Sequence, residues 1–416
     1  MRDKHAALHM VQFEDIAQCL TEVQPFDLTE SPIDVFICAL GFEDRALAIA
    51  TRLAQSDWYK ANPVHKAIIC SYTTNTLENE LKREALQCAI SHFCSSTLEL
   101  PSDLPGDLAQ GLRNELTSAR KSNGGIRVML DISAASGNLI LSVMHVLAEI
   151  SADCPIALSI AYSEPAEYFP SEENYQEQGE ELVLRSCCKG DNNSPHEHGV
   201  SQVEINELYP GTSQENRPEY IIVIPSYRTE RLAHCLQRLT DEPLSNPDQF
   251  IHWILGAPPT QERLWRLEWQ QRIIRRLLSD LAGGNEESGS RALTSENHSC
   301  ASTLDYRQIM KILVARIDGN LGKNISLIHM GSKLQAIGVS LALAARSEIT
   351  VCYAKPARYN TNQYSGGIGP AWQIQFTDFA EVVSSMRKIG TLRFIPRIEP
   401  EHADLRGEWD PQLAGS

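Results

Sequence analysis

Val35-Phe-Ile-Cys-Ala-Leu-Gly-Phe-Glu-Asp-Arg45 runs on into Ala-Leu-Ala-Ile-Ala-Thr-Arg52-Leu53: an apolar strand, a polar turn, then an amphipathic helix. Moving 186 positions along, from 35 to 221, the chain reads Ile221-Ile-Val-Ile-Pro-Ser-Tyr-Arg-Thr-Glu-Arg231, then Leu-Ala-His-Cys-Leu-Gln-Arg238-Leu239. The pattern is the same, and Arg45/Arg231, Arg52/Arg238 and Leu53/Leu239 coincide. The same shift lays Ala67-Ile-Ile-Cys-Ser-Tyr-Thr-Thr74 on Trp253-Ile-Leu-Gly-Ala-Pro-Pro-Thr260, a second buried strand before a charged helix.

Two more matches follow in the same order. Val128-Met-Leu-Asp-Ile-Ser-Ala-Ala-Ser-Gly137 pairs with Ser326-Leu-Ile-His-Met-Gly-Ser-Lys-Leu-Gln335, each opening a helix of small and aliphatic residues. Ile160-Ala-Tyr162-Ser-Glu-Pro165-Ala-Glu-Tyr168 pairs with Val351-Cys-Tyr353-Ala-Lys-Pro356-Ala-Arg-Tyr359, keeping a Tyr-x-x-Pro-x-x-Tyr unit intact. Ordered matches with insertions only in polar segments argue one unit written twice. Its continuous apolar runs, rather than alternating ones, need a parallel sheet covered on both faces. Right-handed crossovers then make the chain α/β, two tandem Rossmann-like, doubly wound domains. The expected bounds are 25–186 and 217–399, with a polar linker over 187–216 and a polar tail over 400–416. The stretch 281–303, with its Gly-Gly-Asn-Glu-Glu-Ser-Gly-Ser, reads as a surface insert in the second copy.

A chain of 416 residues suffices for two domains with real cores, and 42% hydrophobic content excludes a disordered one. With 37 basic against 53 acidic residues, the formal charge of −16 opposes nonspecific coating of nucleic acid or anionic membrane. Met1-Arg-Asp-Lys-His5 leads into polar sequence without an apolar signal core, and no run approaches the ~18 apolar residues of a membrane span. Several of the eleven cysteines (Cys38, Cys70, Cys94, Cys352) sit inside apolar runs, which suits a reducing cytoplasm. Cys187 and Cys188, with His196 and His198 beyond, lack the paired spacing of a zinc site and read as linker. No metal and no cofactor is expected.

Ligands of an open parallel sheet lie beyond the carboxyl ends of its strands, where helix N-termini present free N–H groups. The matched turns fall there. In the first copy they carry Glu43, Arg45 and Asp131, candidates for acid–base work in an enzyme acting on a nucleotide or nucleoside. In the second they carry Tyr227, Arg228, Arg231, Gly331, Ser332, Lys333, Tyr353, Lys355 and Arg358, a basic edge suited to a small phosphorylated ligand. From Glu164 to Glu181 the first copy has seven glutamates and no Lys or Arg, an acidic lip.

Each assignment has a plainer rival. Lys333, Lys355 and Arg358 can serve as ion-pair partners of that lip, Asp131 as a helix cap, and the Tyr-x-x-Pro-x-x-Tyr unit as an extended exit fixed by proline. Gly366-Gly-Ile-Gly369 follows the last strand instead of opening a βα turn, so it reads as a flexible loop near the site. Trp265, Trp269 and the arginines of 263–276 fit an amphipathic helix with a solvated basic face, and nucleic acid is not expected as a general partner.

Met330-Gly-Ser-Lys333, ending a strand and opening a helix, resembles the Gly-Gly-Thr-Lys-type turn of CARF domains, the Rossmann-like cyclic-oligoadenylate sensors of prokaryotic CRISPR defence. That family pairs two such domains with ligand across a two-fold axis, an arrangement a tandem duplication can imitate. The resemblance places ligand turns at Tyr227–Arg228 and Gly331–Lys333. It implies a cytoplasmic sensor or partner subunit of an antiviral defence system, binding a small anionic nucleotide-like ligand and meeting a protein partner or a second copy. Ser133-Ala-Ala135 in place of Gly331-Ser-Lys333 departs from the pattern and argues against a symmetric ligand. No HEPN or nuclease effector is recognisable, so the rival expectations are the enzyme above and a non-catalytic scaffold subunit of a multi-protein complex.

Overall fold

The computed structural model describes residues 18–28, 30–119, 125–187, 196–240, 250–284, 289 and 293–391. The expected tail over 400–416, residues 285–288 and 290–292 of the insert, and Cys188 lie outside them.

The first copy contributes strands β1 (Val35–Ala39), β2 (Lys66–Ser71), β3 (Thr97–Pro101), β4 (Ile126–Asp131) and β5 (Ile156–Ser163). They run parallel in the order β5-β4-β1-β2-β3. The junction supplies β6 (Glu197–Pro210). The second copy contributes β7 (Glu219–Ile224), β8 (Ile251–Ala257), β9 (His298–Ser302), β10 (Asn324–His329) and β11 (Thr350–Tyr359), parallel in the matching order β11-β10-β7-β8-β9. A last strand, β12 (Ala371–Phe376), follows. Every residue of β1 is buried and so are five of the six of β7, which is why both read as unbroken apolar runs. The molecule is therefore α/β, with two Rossmann-like sheets of identical strand order.

Helices join and cover the strands: α1 (Ala48–Gln55), α2 (Thr76–Ser91), α3 (Pro105–Ser118), α4 (Gly137–Ile150), α5 (Glu172–Cys187), α6 (Glu230–Leu239), α7 (Trp265–Leu281), α8 (Tyr306–Asp318), α9 (Lys333–Ala345) and α10 (Phe379–Thr391). The helices after the fourth strands, α4 and α9, pack on each other. Leu139, Ile140 and Val143 of α4 share one buried core with Ala336, Ile337 and Val339 of α9, so the halves have a common interior. Close approach of α8 to α9 requires Gly338, where a Cβ would lie 2.2 Å from the Tyr306 carbonyl oxygen.

The edges are exchanged. β12, encoded at the end of the second copy, pairs antiparallel with β5 of the first, from Ala371 opposite Ser163 to Phe376 opposite Leu158. β6, encoded between the copies, pairs antiparallel with β11, from Glu197 opposite Tyr359 to Pro210 opposite Thr350. The stretch 187–216 is thus not only the expected linker: it holds the fourteen-residue strand that closes the second sheet. Strand exchange satisfies a backbone edge on each sheet that would otherwise be bare.

The acidic lip and the basic helix meet as well. α5 packs on α7, with Tyr175 stacked on Trp265 at 5.0 Å. Arg272 pairs with Glu180, and Arg263 lies 3.4 Å from Glu164. Trp269 is fully buried. The basic face expected to be solvated is in part turned onto the glutamates of the other copy.

Candidate functional site

Residues beyond the strand ends of both sheets enclose a cleft with two cavities, of about 190 and 240 Å³. The first lies over the strand ends of the first copy, against Phe42, Tyr72, Asp103 and Asn138, and is capped by Tyr353 and Tyr359 of the second. The second lies over those of the second copy, against Pro225, Gly256 and Thr303, and is capped by Tyr162 and Tyr168 of the first. Each Tyr-x-x-Pro-x-x-Tyr unit thus serves the other copy's cavity. The two units differ locally: β11 continues through Pro356 with a shift of register between Lys355 and Pro356, whereas β5 stops at Ser163, before Pro165. Arg231, Met330, Gly331, Lys333 and Tyr364 line both cavities.

Lys333 stands at this shared wall because Ser332 starts α9. The Ser332 hydroxyl accepts the Gln335 amide at 3.1 Å while the Gln335 side chain accepts the Ser332 amide at 2.9 Å, a reciprocal cap. Lys333 is the first helical residue, half-buried, and lines both cavities. Among the described residues it has no hydrogen bond and no ion pair. Burial lowers its pKa to about 8, and Arg45 nearby pushes the same way against the opposing pull of Glu43 and Asp131.

The candidate catalytic residues are occupied. Glu43 and Arg45 form a buried ion pair at 2.6 Å, Ser365 donates to the same carboxylate, and Arg45 reaches the Tyr162 hydroxyl at 3.2 Å. Burial alone would raise the Glu43 carboxyl; Arg45, Lys333 and the Ser365 hydroxyl outweigh it and hold it below the ordinary range. Asp131 accepts the Ser133 amide at 2.9 Å and the Ser133 hydroxyl, and burial raises it to about 7. It lines neither cavity, so its contacts are those of a residue tying down the turn after β4.

The second copy's expected ligand residues separate into two groups. Lys355 pairs with Asp103 and reaches Thr73 at 3.0 Å, and Arg358 pairs with Glu78 at 2.8 Å, so both are bridges between the copies. Their partners are not the acidic lip. Arg228 is buried, donating to the Arg185 carbonyl at 2.7 Å and to Glu230 at 2.9 Å. Arg231 pairs with Glu197 and donates to the Ala354 carbonyl at 3.3 Å, and Tyr353 donates to Glu204 at 2.6 Å. Tyr227 lies flat on Trp269, ring centres 4.6 Å apart, with the His196 ring stacked at 6.0 Å. Gly331, Ser332 and Lys333 stay at the cavity wall. Gly367 donates its amide to Asp44 at 3.0 Å, which ties the glycine-rich loop to the first copy.

Three residues outside the expected ligand set also line the cleft. Asn79 on α2 and His329 at the end of β10 line the first cavity, and Arg266 on α7 lines the second. His329 lies in the matched turn and Arg266 in the basic run 263–276, whereas Asn79 belongs to neither. Arg275 of the same helix also lacks a carboxylate partner among the described residues, so it is burial in the cavity wall that singles out Arg266. Among the described residues, no group of three or more His, Cys, Asp or Glu is placed to hold a metal, and no helix is long and apolar enough to cross a membrane.

No protein-family model and no curated protein matches the chain. Among solved structures, it is similar to a type III CRISPR defence DNA nuclease activated by cyclic oligoadenylate, at 11% identity and TM-score 0.42, over 81% of this chain and 68% of that one. It is also similar to the cytoplasmic domain of a prokaryotic cation chloride cotransporter, at 10% identity and TM-score 0.23, over 79% and 96%. UDP-GlcNAc 2-epimerase from Neisseria meningitidis follows at 10% identity and TM-score 0.19, over 74% and 90%. All three scores are below 0.5, and the fold rests on the strand order itself.

Proposed function

We propose that the cleft between the two copies binds a nucleotide-derived anionic ligand, and that the protein is a sensor or partner subunit of a prokaryotic antiviral defence system. The observation that carries the ligand is Lys333, a cation without a carboxylate partner among the described residues, on the wall shared by two aromatic-lined cavities. A desolvated charge of this kind is costly in the empty protein and is compensated by a bound anion. The defence assignment rests on the likeness of Met330–Lys333 to the CARF turn. Catalysis by the first copy is the weaker reading, since Asp131 is committed to Ser133 and Glu43 to Arg45. The test is a thermal-shift and calorimetric screen of nucleotides and cyclic oligonucleotides against wild type and Lys333→Ala. Ligand-dependent stabilisation lost in the variant supports the proposal; no stabilisation by any compound removes it.

A further inference from the structure

The two cavities share Lys333, and each has a buried histidine nitrogen without a partner among the described residues (His329 in the first, Nδ1 of His196 in the second), but they differ in what else they leave unsatisfied. In the second, two cations have no carboxylate within ion-pair distance among the described residues: Lys333 and Arg266. Arg266 is 7% exposed. It donates to the Tyr168 and Pro170 carbonyls at 3.1 and 2.7 Å and lies over the rings of Trp265 at 4.6 Å and Tyr168 at 5.3 Å. Carbonyls and ring faces stabilise a guanidinium without neutralising it.

In the first cavity the unsatisfied groups other than the shared Lys333 are uncharged. Asn79 is 3% exposed; its amide N–H donates to the Thr74 carbonyl at 2.9 Å, which fixes the orientation and leaves Oδ1 without a partner among the described residues. Neither ring nitrogen of His329 has a partner among the described residues, and burial, aided by Arg231, lowers its pKa to about 4, so the ring is neutral. Apart from Lys333, the basic groups on this side are spent, Lys355 on Asp103 and Arg231 on Glu197. Phe42, Tyr359 and Tyr364, mutually packed at 5.5–5.7 Å, supply flat apolar wall. A buried polar atom without a partner is costly, so both sets are suited to receive groups of a ligand.

Resting on the nucleotide reading above, we infer that the ligand lies in one direction only, its uncharged heterocycle in the first cavity on Asn79 and His329 and its phosphate in the second on Lys333 and Arg266. The class is a nucleoside phosphate with one base and one anionic end, not a two-fold symmetric nucleotide. Aromatic walls stack any base; the Asn79 and His329 edges select among them.

Calorimetry with nucleoside monophosphates, free nucleosides, inorganic pyrophosphate and a symmetric cyclic dinucleotide separates the two ends. Arg266→Gln is expected to weaken monophosphates and pyrophosphate about tenfold or more while leaving free nucleosides unchanged. Asn79→Leu is expected to weaken nucleosides and monophosphates and to leave pyrophosphate unchanged. Should either variant fail to fold, wild-type tryptophan emission gives the same answer: pyrophosphate perturbs it through Arg266 on Trp265, and free nucleosides do not. Equal loss for every ligand in both variants, nucleotide binding indifferent to both, or an emission change with nucleosides alone overturns the orientation while leaving the nucleotide site standing. Absence of binding by every compound to wild type removes both readings.

Discussion

Lys333 and Gly137 hold the same place in the two halves: each is the first residue of the helix after the fourth strand, behind a serine whose hydroxyl accepts an amide three residues on at 3.1 Å. Motif matching sets Lys333 against Ala135 instead. The turn after β4 (132–136) is two residues longer than that after β10 (330–332), and the helix caps restore the register. A Cβ on Gly137 would stand 3.2 Å from the His329 ring. The pseudo-symmetry is therefore broken at the middle of the cleft, where one copy offers an ammonium and the other makes room for an imidazole.

Lys333 should be costly to the empty protein. Its folded-state pKa of about 8 lies below the ordinary 10.5, so its charge destabilises the fold at every pH below about 8, and the deficit closes as pH rises toward 10.5. Lys333→Met is expected to stabilise the unliganded protein at pH 7 by on the order of 1–2 kcal/mol, with the gain shrinking above pH 8. Denaturant melts at pH 7 and 9.5 check this; a destabilised variant at pH 7 would mean that the ammonium has a partner.

Lys355 and Arg358 should behave in the opposite way. Both are partly exposed and already paired across the copies, so each pair is worth about 0–1 kcal/mol. Lys355→Ala and Arg358→Ala are expected to lower the melting temperature slightly and to leave ligand affinity within about twofold of wild type. A tenfold loss of affinity in either variant would return that residue to the site.

Much of this architecture is legible in the sequence because β1, β4, β7 and β10 are buried on both faces: β1 and all but the first residue of β7 are unbroken apolar runs, and β4 and β10 keep apolar centres at Val128-Met-Leu130 and Leu327-Ile328. β6 escapes because an edge strand carries alternating polar residues, and Glu197 to Pro210 has the composition of a linker. The basic edge misleads for a related reason. Residue type reports charge, but only the fold shows that Arg228 reaches the Arg185 carbonyl or that Lys355 meets Asp103. Asn79 is silent in sequence, one polar residue on a charged helix, and gains meaning only from its bare Oδ1.

Asp131 supplies a pH test. Burial raises its folded-state pKa to about 7 from the ordinary 3.8, so its stabilising contribution is present at acidic pH and is lost as pH rises through about 7. Asp131→Asn keeps an acceptor for Ser133 and cannot ionise. The stability difference, variant minus wild type, should therefore grow between pH 5 and 8 by up to a few kcal/mol, at ~1.4 kcal/mol per unit. A difference that is flat across this range would mean an Asp131 already ionised at pH 5.

The exchanged strands make a prediction about cutting the chain. A fragment of residues 1–191 contains β5 but not β12, so the backbone from Leu158 to Ser163 loses its antiparallel partner and the packing of Ile374 and Phe376. An open edge beside a buried apolar face associates with other copies instead of standing alone in water. The fragment should be aggregated or insoluble by itself. Co-expressed with residues 192–416, which carry β12, it should form a soluble one-to-one complex with the far-ultraviolet circular dichroism of the intact chain. Size-exclusion chromatography decides the matter: a monomeric, folded 1–191 fragment would show that the first sheet is complete without the strand it borrows.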